Sequence, residues 1–92
     1  MSRYSVEIKE QAQQDLVALS KNEPQAYRKA LALIGELYDH PQTGTGKPEQ
    51  LKGYDGVLWS RRITKKHRLI YEIHETVVHV DVLSAYGHYD DK

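Results

Sequence analysis

Three stretches of alternating side chains follow one another in the second half of the chain, at residues 57–64, 67–74 and 77–83. The first puts Val57, Trp59, Arg61 and Ile63 on one side, against Leu58, Ser60, Arg62 and Thr64. The second sets Leu69, Tyr71 and Ile73 against Arg68, Ile70 and Glu72. The third sets Val78, Val80 and Val82 against Val77, His79, Asp81 and Leu83. A period of two marks a strand with one buried face. The links, Lys65-Lys66 and His74-Glu75-Thr76, are far shorter than the dozen or more residues a parallel crossover needs. The three strands must therefore form an antiparallel meander, and its apolar face must be covered.

The first half supplies the cover. Tyr4, Val6 and Ile8 alternate as a short strand, read as an edge of the same sheet. From Lys9 to about Lys21 the period changes, with Ala12, Leu16 and Leu19 at helical spacing. Asn22-Glu23-Pro24 breaks the helix, and Pro24 suits the first turn of the next. Tyr27, Ala30, Leu31, Ile34, Leu37 and Tyr38 then form a second helical stripe, stopped by His40-Pro41. The expected fold is α+β: a small βααβββ domain, an antiparallel sheet with a two-helix hairpin packed on one face. Residues 1–92 are read as one domain. Cysteine is absent, which excludes a disulfide framework and thiolate chemistry. No apolar run approaches the roughly 20 residues of a membrane helix, and no signal peptide is evident. A cytoplasmic protein without membrane contact is expected.

Charge narrows the function. Residues 46–68 hold seven basic side chains (Lys47, Lys52, Arg61, Arg62, Lys65, Lys66, Arg68) against Glu49 and Asp55, a formal +7 − 2 = +5 in a chain of net charge 0. A neutral protein with one cationic block is suited to hold an anion at one place. Parity puts Arg62 and Arg68 together on the face away from the core residues Ile63 and Leu69.

Cutting an RNA backbone requires a base at the 2′-hydroxyl, cations on the phosphate and an acid for the leaving oxygen. Glu49 is a candidate base and His88 a candidate acid. Arg68 and Arg62 are phosphate clamps, and Lys47 and Lys52 add point charges. Tyr86 and Tyr89 are candidates for stacking on bases.

Plainer readings stand beside these. Glu49 also reads as a salt-bridge partner of Lys47 or Lys52. Arg61, Arg62, Lys65 and Lys66 read as RNA-binding cations or as a solvated edge that discourages aggregation. His88-Tyr89 reads as an unstructured terminus, and His67 as a turn cap. His40, His74 and His79 look structural or exposed. His79 and Asp81, two apart on a strand, also read as a candidate metal site, but nothing further in the sequence supports it, so no metal and no cofactor are expected.

The runs G-K-P-E-Q-L-K (46–52), W-S-R-R-I-T-K-K-H-R-L-I-Y (59–71) and S-A-Y-G-H-Y (84–89) resemble the YoeB/Txe branch of the RelE toxin superfamily. The likeness runs through nearly all of the second half. It implies a bacterial toxin of a type II toxin–antitoxin pair that enters the ribosomal A site and cuts mRNA. By position, Glu49 matches the family's general base, Arg68 its phosphate-stabilising arginine and His88 its general acid. Tyr89 matches the aromatic beside that histidine, and Lys47, Lys52 and Arg62 match supporting cations. The implied partners are a cognate antitoxin, the ribosome and mRNA. A homodimer and a toxin–antitoxin hetero-oligomer both stay open. Two other functions are compatible with the fold: a non-enzymatic toxin that inhibits DNA gyrase, and a plain nucleic-acid-binding module. The joint presence of Glu49, Arg68 and His88 speaks against the first, and the neutral overall charge against the second.

Overall fold

A computed structural model of the chain describes residues 3–52 and 57–87. Strand β1 (Ser5–Ile8) leads into helices α1 (Glu10–Asn22) and α2 (Pro24–Leu37). Four strands follow: β2 (Glu49–Gln50), β3 (Leu58–Arg62), β4 (Arg68–His74) and β5 (His79–Ser84). They form one five-stranded sheet in the order β1-β5-β4-β3-β2.

The meander β3-β4-β5 is antiparallel, as the short links require. Its last strand starts later than the alternation suggests. Residues 75–78 make the turn, closed by the Val78 N–H donating to the Glu75 carbonyl at 3.2 Å, and Val78 takes a left-handed φ of 53°. A β-branched residue rarely adopts that conformation.

The sheet is mixed rather than wholly antiparallel, because β1 pairs with β5 in parallel, Ser5 opposite His79 through Ile8 opposite Val82. The two helices carry the chain across one face between these strands, so the hairpin constraint does not apply to β1. At the other edge, the segment expected only as extended forms β2, with Glu49 opposite Ser60 and Gln50 opposite Trp59.

The junction between the helices is Glu23 alone, which ends α1 and precedes Pro24 at the start of α2. Ala12, Leu16 and Leu19 of α1 join Ala26, Ala30, Leu33, Ile34 and Leu37 of α2 over Ile63, Leu69, Tyr71, Ile73, Val80 and Val82 of the sheet side. The buried stripe of α2 is rotated from the expected one: Leu31 and Tyr38 are exposed, and Ala26 and Leu33 are buried instead. The cause is that α2 must face α1 as well as the sheet, which turns the contact face by about one residue. Among the described residues no helix is long and apolar enough to cross a membrane.

Candidate active site

The loop at residues 40–46 carries the chain from α2 to β2, and one side chain holds it. Arg61 is fully buried on the helix-covered side of β3. Its Nε donates to the Tyr71 hydroxyl at 3.1 Å, and Nη1 to Glu36 Oε1 at 2.7 Å and the Thr45 carbonyl at 3.2 Å. Its Nη2 donates to the Thr43 carbonyl at 2.6 Å and to the His40 carbonyl. All five guanidinium donors are thereby used. Arg61 was grouped with the RNA-binding cations, and the structure corrects this: no donor is left for a phosphate. Its place beside Val57, Trp59 and Ile63 in the alternation was the signal that it points inward.

The same contacts set the carboxyl of Glu36. Burial alone would raise its pKa. The hydroxyl and backbone N–H of Thr45 and the Arg61 guanidinium outweigh that and hold it below the ordinary value. Burial pushes the Tyr71 phenol up, with Arg61 acting in the opposite direction. That phenol donates to the Pro41 carbonyl at 2.8 Å. Gly46 closes the loop: its φ is 87°, its carbonyl accepts from the Arg62 N–H at 2.7 Å, and an added Cβ would stand 2.9 Å from the Arg62 carbonyl. Lys47 next to it is also left-handed, with φ 53°. The loop therefore delivers Lys47 and Glu49 to the edge of β3 in one fixed register.

On the opposite face of the sheet, cross-strand pairing brings the expected site residues together. Glu49 lies opposite Ser60, and Arg62 opposite Arg68. Directly paired residues share a face, as do residues two apart. Glu49, Ser60, Arg62 and Arg68 therefore form one contiguous patch. Ser60 at its centre is buried, and Arg68 Nη1 reaches its Oγ at 3.4 Å. The Arg68 fork thus leans across β3 toward the strand that carries Glu49. Glu49, Lys47, Lys52 and Arg62 are exposed, and Arg68 is half-buried. Lys65 and Lys66 are exposed on the β3–β4 turn, where Lys66 faces Glu23 at 3.8 Å.

His88 and Tyr89 lie outside the described residues. The chain leading to them is tied down at three points. The Ala85 N–H donates to Asp15 Oδ2 at 2.9 Å, the Gly87 N–H to His67 Nδ1 at 2.8 Å, and the Arg68 N–H to the Gly87 carbonyl at 2.9 Å. An N–H can only donate, so His67 Nδ1 is the acceptor. Its Nε2 then carries the proton and donates to Glu23 Oε2 at 2.7 Å. That bond to His67 is the main reason the Glu23 carboxyl sits below its ordinary pKa. Tyr86 lies over His67, ring centroids 4.5 Å apart, and remains 46% exposed, so one face of the phenol is open to a ligand.

Sequence reasoning did not assign the residues that make these ties. His67 read as a turn cap and is a buried bridge between the helix junction and the tail. Asp15, which the sequence reading did not single out, is buried beneath Ala85. Its spacing from Leu16 and Leu19 was the only hint that it lies on the packed side. Ser60 carried no signal beyond parity. A recess of about 510 Å³ lined by Trp59, Ile73, His74 and Val77 opens at the other end of β4 and contains none of the site residues.

The chain matches the model of the YoeB-like toxin of bacterial type II toxin-antitoxin systems over residues 8–89. It is 44% identical over 62 residues to a toxin YoeB of Mycobacterium bovis, covering 67% of this chain and 71% of that one. The fold is similar to that of a YoeB dimer from Staphylococcus aureus, with TM-score 0.79 and 29% identity over 96% of this chain and 100% of the other. It is also similar to the toxin in a YoeB–YefM complex from Staphylococcus aureus, with TM-score 0.75 and 29% identity over 96% and 100% of the two chains. The match extends through the cationic patch, the loop that seats Glu49 and the anchored tail. The chain belongs to the YoeB-like toxins of bacterial type II toxin–antitoxin systems.

Proposed function

We propose that this toxin is a ribosome-dependent endoribonuclease that cuts mRNA by attack of a 2′-hydroxyl on the adjacent phosphate. The observation that carries the reading is the position of Arg68. Its guanidinium points to Ser60, the residue opposite Glu49, while its backbone N–H holds Gly87, one peptide unit before His88. Base and clamp then share one patch, and the acid follows directly on the residue that Arg68 holds. Glu49 takes the 2′-proton, Arg68 and Arg62 offset charge on the non-bridging oxygens, and His88 protonates the leaving 5′-oxygen. Lys47 and Lys52 support the phosphate, Lys65 and Lys66 lie along the approach, and Tyr86 and Tyr89 stack on bases. Arginine and lysine supply the positive charge, so the chemistry proposed needs no metal. The open patch offers few contacts to base edges, which favours a substrate presented by the ribosome. The cognate partner is an antitoxin, as in the Staphylococcus aureus complex, and the setting is the cytoplasm.

Primer extension on translated message tests the proposal. Cuts should appear only with ribosomes, leaving a 2′,3′-cyclic phosphate or its 3′-phosphate product. Glu49→Gln, Arg68→Ala and His88→Gln should each suppress them in a folded protein. Cleavage by the folded triple variant would overturn the mechanism. Rescue of a phosphorothioate message by a thiophilic metal would overturn its metal independence. Gyrase inhibition without cut message would replace the reading altogether.

A further inference from the structure

Strand pairing assembles a second polar array on the face that carries Arg68, at the far end of β4. Ser5, His79 and His74 lie in one row across β1, β5 and β4, and Glu7, Asp81 and Glu72 in the next. Two residues that meant little in sequence thus become part of a set of two imidazoles and three carboxylates. His79 Nε2 stands 2.9 Å from Asp81 Oδ1 and 3.8 Å from Glu7 Oε1. His74 Nε2 stands 3.3 Å from Asp81 Oδ2 and 3.3 Å from Glu72 Oε1. Asp81 offers one oxygen to each histidine, and within each triad the donor atoms lie within 4.8 Å of one another.

We propose that this array binds a divalent transition-metal ion of the zinc class, with Asp81 as the ligand common to two half-sites. Two donors each about 2.0–2.1 Å from a tetrahedral ion lie roughly 3.4 Å apart. The observed separations bracket that spacing. Imidazole nitrogen mixed with carboxylate oxygen suits zinc and its neighbours better than magnesium or calcium, which take oxygen ligands. A ligating histidine needs its other nitrogen held, and Ser5 Oγ lies 2.6 Å from His79 Nδ1. The charge also fits. Three carboxylates face two imidazoles, and Lys9 engages the other oxygen of Glu7, Oε2, at 3.3 Å. A bound cation offsets what remains. Glu72 stands four residues along β4 from Arg68, roughly 13 Å at the rise of a strand. An ion in one half-site ties β5 to β1, and in the other β5 to β4, and takes no part in RNA cleavage.

Titration of the whole chain with ZnCl₂, followed by calorimetry and ring-nitrogen spectra, tests this. The Nε2 signals of His74 and His79 should shift on zinc addition. The melting temperature should rise by roughly 15 °C at a hundredfold excess of zinc over Kd. Asp81→Asn should weaken binding about tenfold or more, and the double variant His74→Gln, His79→Gln should abolish it. Because the spectra use the unaltered chain, they decide the matter even if a variant does not fold. Absence of binding up to millimolar zinc overturns the proposal. So does zinc uptake that leaves these two rings unperturbed, or that persists undiminished in the folded double variant.

Discussion

The backbone N–H of Gly87 donates to Nδ1 of His67 at 2.8 Å, so a buried side chain on the β3–β4 turn fixes the chain one residue before His88. Because His67 Nε2 is bonded to Glu23, the imidazole cannot turn without breaking two contacts. His67 therefore acts as a positioning residue for the tail. His67→Ala should lower kcat for message cleavage on the order of 10- to 100-fold, with KM little changed. Amide exchange at Gly87 should accelerate in the same variant. A folded variant with full kcat would remove His67 from this role.

Arg61 and Arg62 are neighbours on opposite faces of β3, and paired substitutions separate them. Arg61→Ala leaves Glu36 with Thr45 as its donor and deprives the carbonyls of His40, Thr43 and Thr45 of the guanidinium. The expected loss is about 3–5 kcal/mol of stability. Arg62→Ala, at an exposed position, should change stability by no more than about 0.5 kcal/mol and reduce cleavage. Urea denaturation beside a cleavage assay measures both.

Acid should unfold the protein partly through Glu36 and Glu23, both held below the ordinary 4.5. A carboxyl with a lowered folded pKa contributes stability above its unfolded pKa, and that contribution is lost as pH falls through the folded value. Glu36→Gln should therefore be less stable than the parent at neutral pH, and the gap should narrow as pH falls below 4.5 through the lowered folded value. Thermal melts across that range provide the check.

Gly35 lies exposed in the interior of α2, and a Cβ there would meet nothing within 4 Å. Its backbone is helical, so alanine costs no strain. Gly35→Ala should stabilise the fold by about 0.5–1 kcal/mol without altering cleavage. A loss of stability would point to an unseen neighbour at that helix surface.

The meander was legible because period-two alternation and short links leave a chain little choice. The shared face of Arg62 and Arg68 followed from the same parity, and the motif G-K-P-E-Q-L-K pointed to Glu49 as a candidate. What stayed hidden depends on contacts between distant parts of the chain. The parallel partnership of β1 with β5 is a choice of neighbour, which no local pattern encodes. Asp15 under Ala85 and His67 under Gly87 are single polar residues whose partners lie 70 and 20 positions away. By charge along the chain Arg61 counts with the surface cations, whereas its parity with Trp59 and Ile63 points it inward.

The parallel pairing of β1 with β5 also orders events in time. Strand β5 lies between β1 and β4, so the sheet stays split until residues 79–84 have been made. Closing a loop of more than 70 residues is entropically costly and slow compared with forming the hairpins. A nascent chain therefore cannot complete the sheet while its last core strand is still being synthesised. The sheet closes only once that strand has left the ribosome, so this domain completes its fold after its last core strand has been made.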